Sequence, residues 1–276
     1  MPIITLTTDF GTRDHFVGAV KGSIYSELKE VRIVDISHDI TPFSIAETAY
    51  VLKNTYRNFP PGTIHIIGVD SEISIENRPI AIQIEDQYFL GCDNGILSMI
   101  TNEINPDKIV EITIPEPEEM KFSILGIFIK VACHIARGGT LEVIGKRISE
   151  IKNIFELQPR VNEEKNQIVG NIIYIDNFGN VISNITKNTF QNIGKGRTFE
   201  IIARNYKFTK IHKKYNEIVD YSLPVDKRQD DGKKLALFNC SDYLEISIYR
   251  SNLKTVGGAS SLLGLDYRDN ITVRFI

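Results

Sequence analysis

A chain of 276 residues with 42% apolar side chains is long enough to bury one large core or two ordinary ones. Its 32 basic and 35 acidic residues nearly cancel, which argues against a nucleic-acid or anionic-membrane partner and points to a small ligand. No apolar stretch approaches the roughly 20 residues that span a bilayer, and the N-terminus has neither a basic n-region nor a cleavage site, so a cytoplasmic address is expected.

In chain order, "IITLTT", "VRIVDIS", "TIHIIGVD", "PIAIQIE" and "QYFLGC" read as strands. A helix is predicted over residues 14–28, where Phe16, Ala19, Val20, Ile24 and Leu28 recur at helical spacing. A second follows Pro42, with Ser44 and Glu47 as a capping box ahead of Ala49, Leu52 and Tyr56. A third, over residues 124–137 and closed by Gly138, is apolar nearly all round. Strands alternating with helices imply an α/β domain with a central, mainly parallel sheet covered on both faces. Residues 159–167, charged and without periodicity, read as a linker between a domain at 1–158 and another at 168–276. Beyond it "IVGNIIYI", "TFEIIARNYKFTKI", "KLALFNCSDYLEISIY" and "NITVRFI" are strand runs, so a compact all-β domain without helices, sandwich or barrel, is expected. Cys92, Cys133 and Cys240 are scattered, odd in number and outside any zinc spacing, so reduced thiols and no structural metal are expected.

The stretch "TDFGTRD" places Asp9 and Asp14 around Gly11 at the end of the first strand. Open α/β sheets bind ligands there, and paired carboxylates suit a hydroxylated or cationic ligand such as a ribose; phosphate would call for glycine-rich donors and basic groups. The same residues would also serve a plain turn and helix cap. "DISHD" (residues 35–39) crowds His38 with carboxylates, but strand alternation separates Asp35 and Ser37 from His38, which favours turn and capping roles over a metal site. Asp70 ends a strand on the same sheet edge, as a catalytic group or a loop cap. "YIDNFGNVISNI" gathers Asp176, Phe178 and Asn180 about Gly179, able to stack on and hydrogen-bond a base, or to form an ordinary hairpin.

Taken in order, "LTTDFGTRDHFVGAVKG", "IVDISHDITPFSIAETAYVL", "FPPGTIHIIGVD", "GCDNGILS", "YIDNFGNVISNI" and "FNCSDYLEISIYR" resemble the S-adenosylmethionine hydroxide adenosyltransferase family, which also holds fluorinases and chlorinases, across essentially the whole chain. The resemblance implies an α/β domain joined to a β-barrel, and a homotrimer whose nucleoside ligand sits between the N-terminal domain of one subunit and the C-terminal domain of the next. It implies that Asp9 grips both ribose hydroxyls, Asp14 meets the methionine amino group and Phe43 covers the ribose. Asp176, Phe178 and Asn180 would come from the neighbouring subunit. Ser241 and Asn252 lie in segments that surround the adenine and the amino acid carboxylate. The implied chemistry is attack of water on the 5′ carbon of S-adenosylmethionine, giving adenosine and methionine with no metal or cofactor. Asp70 matches the family Asp of an Asp, Arg and His set around the water; the Arg position falls on Asn77 and the His position on Ser123, with Phe122 retained. Two substituted positions keep three readings open: a hydrolase, a non-catalytic S-adenosylmethionine or adenosine binder, and an enzyme on another adenosyl or nucleoside substrate.

Overall fold

The computed structural model describes residues 1–101, 104–115, 124–154 and 157–276, with the side chain of Leu125 also outside the description. Two compact units result, Met1–Glu156 and Leu157–Ile276. No helix among the described residues is long and apolar enough to cross a membrane.

The first unit is built on β1 (Ile3–Thr8), β2 (Arg32–Ser37), β3 (Ile64–Gly68), β4 (Pro79–Ile84), β5 (Gln87–Cys92), β6 (Lys108–Ile112) and β7 (Gly145–Arg147), in the order β2-β1-β3-β5-β4-β6-β7. The run β2-β1-β3-β5 is parallel. Ile4, Leu6, Ile64 and Ile66 are fully buried, because a central parallel strand is covered on both faces. Strand β4 returns antiparallel on β5 through Glu85 and Asp86, both with positive φ, the backbone that a two-residue hairpin needs. Strands β6 and β7 extend that antiparallel edge.

Helices α1 (Phe16–Glu27), α2 (Ile45–Lys53), α3 (Ile96–Thr101) and α4 (Ile129–Ala136) cover the sheet. One face packs Val20 and Ile24 of α1 with Val131 and Ala132 of α4; the other packs Leu52 of α2 with Ile96 and Ile100 of α3. Three predicted details change. Helix α1 starts at Phe16 with His15 at its N-cap, not at Asp14. The expected capping box on α2 is not formed: Ser44 makes no side-chain cap, and Glu47 accepts from the Thr41 backbone N–H instead, at 3.1 Å. The predicted third helix opens as a single π turn, Ile124–Phe128, before becoming α-helical.

The second unit carries β8 (Arg160–Val161), β9 (Gln167–Ile175), β10 (Val181–Thr186), β11 (Phe199–Ala203), β12 (Tyr206–Phe208), β13 (Ile211–His212), β14 (Lys234–Phe238), β15 (Tyr243–Ile248) and β16 (Asn270–Phe275). Their order is β12-β11-β16-β9-β10-β15-β14-β13, with β8 paired to β9. The expectation of no helices here is corrected by α5 (Lys187–Gly194) and α6 (Ala259–Leu263). Helix α5 is capped by the Thr186 hydroxyl, which accepts from the Thr189 N–H at 3.1 Å. Its Phe190 meets Phe199, Phe238 and Phe275 edge-on, with ring centroids 5.1, 5.5 and 5.3 Å away. Those rings come from β11, β14 and β16, so strands far apart in the sheet order converge on one plug and the sheet curls into a barrel-like shape.

Candidate functional site

The chain leaves β1 for β2 on one side and then returns to place β3 on the other, so the strand order reverses at β1 and opens a crevice at the carboxyl ends of β1 and β3. Thr8 and Gly68 are register partners there, and Asp9 and Asp70 follow on the same edge. The corner is crowded at Gly68: a Cβ there would meet the tip of Ile124 and press on Thr8 and Phe10.

Asp9 accepts the Phe43 backbone N–H on Oδ2 at 2.9 Å. Phe43 has a φ of 63°, a backbone that an aromatic residue rarely adopts, and the residue is 72% exposed. The carboxylate therefore fixes the Phe43 backbone, and the two residues that the resemblance sets at a ribose are brought together. Gly11, also at positive φ, donates its N–H to the His38 carbonyl at 2.7 Å. Asp14 is exposed on the following turn and has no hydrogen-bond or ion-pair partner among the described residues.

Asp70 stands in left-handed backbone at φ 47°. Two side-chain amides clamp its carbonyl, Asn77 at 3.0 Å and Asn94 at 3.1 Å. The second amide proton of Asn77 goes to the Glu72 carbonyl at 2.8 Å, while its Oδ1 is buried without a partner. Asn77 thus braces the loop that carries Asp70. Arg78, one residue on, is ion-paired with Asp93 at 2.8 Å and Glu111 at 3.1 Å. Phe122 and Ser123 lie outside the described residues.

His38, expected in a turn or cap, also makes side-chain contacts with Thr8 and Asp35. The β1–β2 register shifts between Leu6 and Thr7, so that Leu6 pairs with Asp35 but Thr7 with Ser37. This irregularity breaks the expected alternation and brings His38 and Asp35 together. His38 is 5% exposed; its Nδ1 lies 2.7 Å from the Thr8 hydroxyl and its Nε2 3.1 Å from Asp35 Oδ1, an ion-pair distance without hydrogen-bond alignment. Lys21 of α1 donates to the other oxygen of Asp35 at 2.5 Å. Burial pushes the Asp35 carboxyl up, but contacts with Lys21 and His38 outweigh this and leave it below its ordinary value. No group of three or more His, Cys, Asp or Glu side chains among the described residues could hold a metal ion.

In the second unit, Asp176 follows β9 and organises the turn to β10. Its Oδ1 accepts the N–H groups of Phe178 and Asn180, each at 2.9 Å, and its Oδ2 accepts the Asn180 side-chain amide at 2.8 Å. Asn180 Oδ1 is buried without a partner, and Phe178 is 59% exposed. Ser251 donates to the Phe178 carbonyl at 3.0 Å, which ties the neighbourhood of Asn252 to this turn. Ser241 is half-buried in the turn before β15, where Asn239 Oδ1 accepts the N–H groups of Ser241 and Tyr243. Beside it opens a cavity of about 720 Å³ lined by Tyr215, Phe238, Asn239, Cys240 and Tyr249. Tyr215 donates to Glu245 at 2.7 Å; burial pushes both groups above their ordinary pKa values, and that bond adds to the rise of Tyr215 while it opposes that of Glu245. Sequence reading missed Tyr215 and Glu245: Tyr215 stands in no motif, Glu245 carries no signal of its own within "FNCSDYLEISIYR", and only the fold joins them.

Residues 4–145 match the model of the SAM hydroxide adenosyltransferase N-terminal domain, and residues 170–272 match that of the C-terminal domain. The chain is 31% identical to the (R)-S-adenosyl-L-methionine hydrolase of Methanocaldococcus jannaschii, over 99% of this chain and 96% of that one. It is 25% identical to a fluorinase of Nocardia brasiliensis, over 89% and 90%. Among solved structures, an uncharacterized conserved protein from Thermotoga maritima superposes with a TM-score of 0.83 at 25% identity, covering 99% of this chain and all of the other. A conserved hypothetical protein from Thermus thermophilus shares the fold, with a TM-score of 0.71 at 20% identity over the full length of both chains.

Proposed function

The chain belongs to the SAM hydroxide adenosyltransferase family, and from that premise we propose that it binds S-adenosylmethionine and hydrolyses it to adenosine and methionine. The observation that carries the reading is Asp9 at the point where strand order reverses, its carboxylate accepting the backbone N–H of the exposed Phe43. In this reading Asp9 accepts the ribose hydroxyls, Phe43 covers the sugar and Asp14 meets the amino group. Asp176, Phe178, Asn180, Ser241 and Asn252 supply the base and carboxylate contacts from a neighbouring copy in a homotrimer.

The reaction is a displacement. A water oxygen bonds to the 5′ carbon as the carbon–sulfur bond breaks, its electron pair goes to sulfur, and the proton passes to Asp70 or solvent. The sulfonium leaves as neutral methionine, so the protein has to align and desolvate the water rather than activate the leaving group. Asp70 is the member of the water-handling set that this chain keeps.

One observation favours a second reading, a binder without turnover: Asn77 spends both amide protons on the Asp70 loop, and Arg78 is committed to Asp93 and Glu111. Loss of a positioned acid or base costs about 10² to 10⁴ in rate. Incubation with S-adenosylmethionine and chromatography for adenosine separates the two. Adenosine above a protein-free control supports the hydrolase; its absence alongside calorimetric binding leaves the binder.

A further inference from the structure

We infer that His38 and Thr8 are positioning residues for the Asp9 carboxylate. The inference rests on the reading of Asp9 as the group that accepts the ribose hydroxyls. His38 holds the Asp9 turn at both ends: its imidazole Nδ1 bonds the Thr8 hydroxyl on the residue before Asp9, and its carbonyl accepts the Gly11 N–H beyond it. Lys21 and Asp35 stand behind the ring on α1 and β2. The Thr8 hydroxyl exchanges one hydrogen bond with Nδ1, and in either direction its oxygen keeps a lone pair for the Phe10 N–H at 3.4 Å.

The placement is costly for a residue that only fills space. Thr8 and His38 are 1% and 5% exposed, and burying polar groups is unfavourable unless they are paired, so an apolar pair would serve packing better. What the polar pair adds is direction. Asp9 Oδ2 already accepts the Phe43 N–H, and Oδ1 has no partner among the described residues, so the orientation of this one carboxylate decides whether two adjacent hydroxyls can both reach it. Such a grip tolerates displacements of only about 0.5 Å.

The test is the ratio of affinities for adenosine over 2′,3′-dideoxyadenosine, measured by calorimetry on the full-length protein. The two ligands differ only in the diol, so a general loss of folding or of base binding leaves the ratio unmoved. Thr8→Val is expected to lower the ratio about tenfold, the effect of one hydrogen bond, and Thr8→Ser to restore it. His38→Asn, which keeps a polar atom toward Thr8 and loses the contact with Asp35, should fall between them and serves if Thr8→Val does not fold. Asp9→Ala should bring the ratio close to one. A collapsed ratio in Asp9→Ala with an unchanged ratio in Thr8→Val and His38→Asn overturns the positioning role alone. An unchanged ratio in Asp9→Ala, or a wild-type ratio near one, overturns the reading of Asp9 and the inference with it.

Discussion

Asn77 shows how a residue can hold a position without holding its chemistry. It aligns with a family arginine of the set around the water and offers amide hydrogen bonds without charge, and its amide protons reach the carbonyls of Asp70 and Glu72. Asp70 sits in left-handed backbone, which costs about 1–3 kcal/mol outside glycine, and the clamp from Asn77 and Asn94 helps to offset that cost. Asn77→Ala removes two of these bonds and should lower unfolding free energy by about 2 kcal/mol in urea titration. It should also reduce any hydrolysis, because the Asp70 carboxylate loses its fixed direction. Full retention of both stability and turnover would remove the bracing role.

At the scale of elements, β1, β3 and β5 are cross-linked by side chains as well as by their ladder. Thr5 and His65 are register partners and bond at 2.7 Å; His65 bonds Gln87 at 2.7 Å and stacks on Phe89 at 4.6 Å. Burial pushes the His65 imidazole down to about 4 from 6.5, partly opposed by its bond to Gln87. The folded ring therefore stays neutral where the unfolded ring has begun to bind a proton. This contribution to stability is whole above pH 6.5, declines as pH falls and is exhausted below about pH 4, a loss of about 3 kcal/mol. Denaturant titrations across that window should show a shallower pH slope in His65→Gln than in the parent, and the His65 ring resonances of the parent should titrate near pH 4. A ring titrating near 6.5 would remove the effect. Strand identities such as β1 and β3 were legible because β-branched runs ended in Asp and Gly signals. Helix α5 was not, because one cap residue and two apolar positions, Phe190 and Ile193, in "TKNTFQNIG" are too little periodicity to stand out within strands.

For the whole molecule, the proposed trimer has a consequence that a self-contained site would not share. Asp9→Ala and Asn180→Ala chains should each bind adenosine poorly, yet particles assembled from both should regain binding at roughly a quarter of their sites, where an intact N-terminal domain meets an intact C-terminal domain by random pairing. No recovery would place each site within one chain. Sequence alone determined the two-part architecture, the strand ends that carry Asp9 and Asp70, and the turn about Asp176, because hydrophobic period and turn chemistry are local properties that sparse residues already specify. Tertiary structure alone decided that Asp9 holds Phe43, that Asn77 serves the Asp70 backbone, and that a register shift turns His38 inward to Thr8. Each of those contacts joins groups that lie far apart along the chain or depends on an irregular backbone, and neither can be read from spacing.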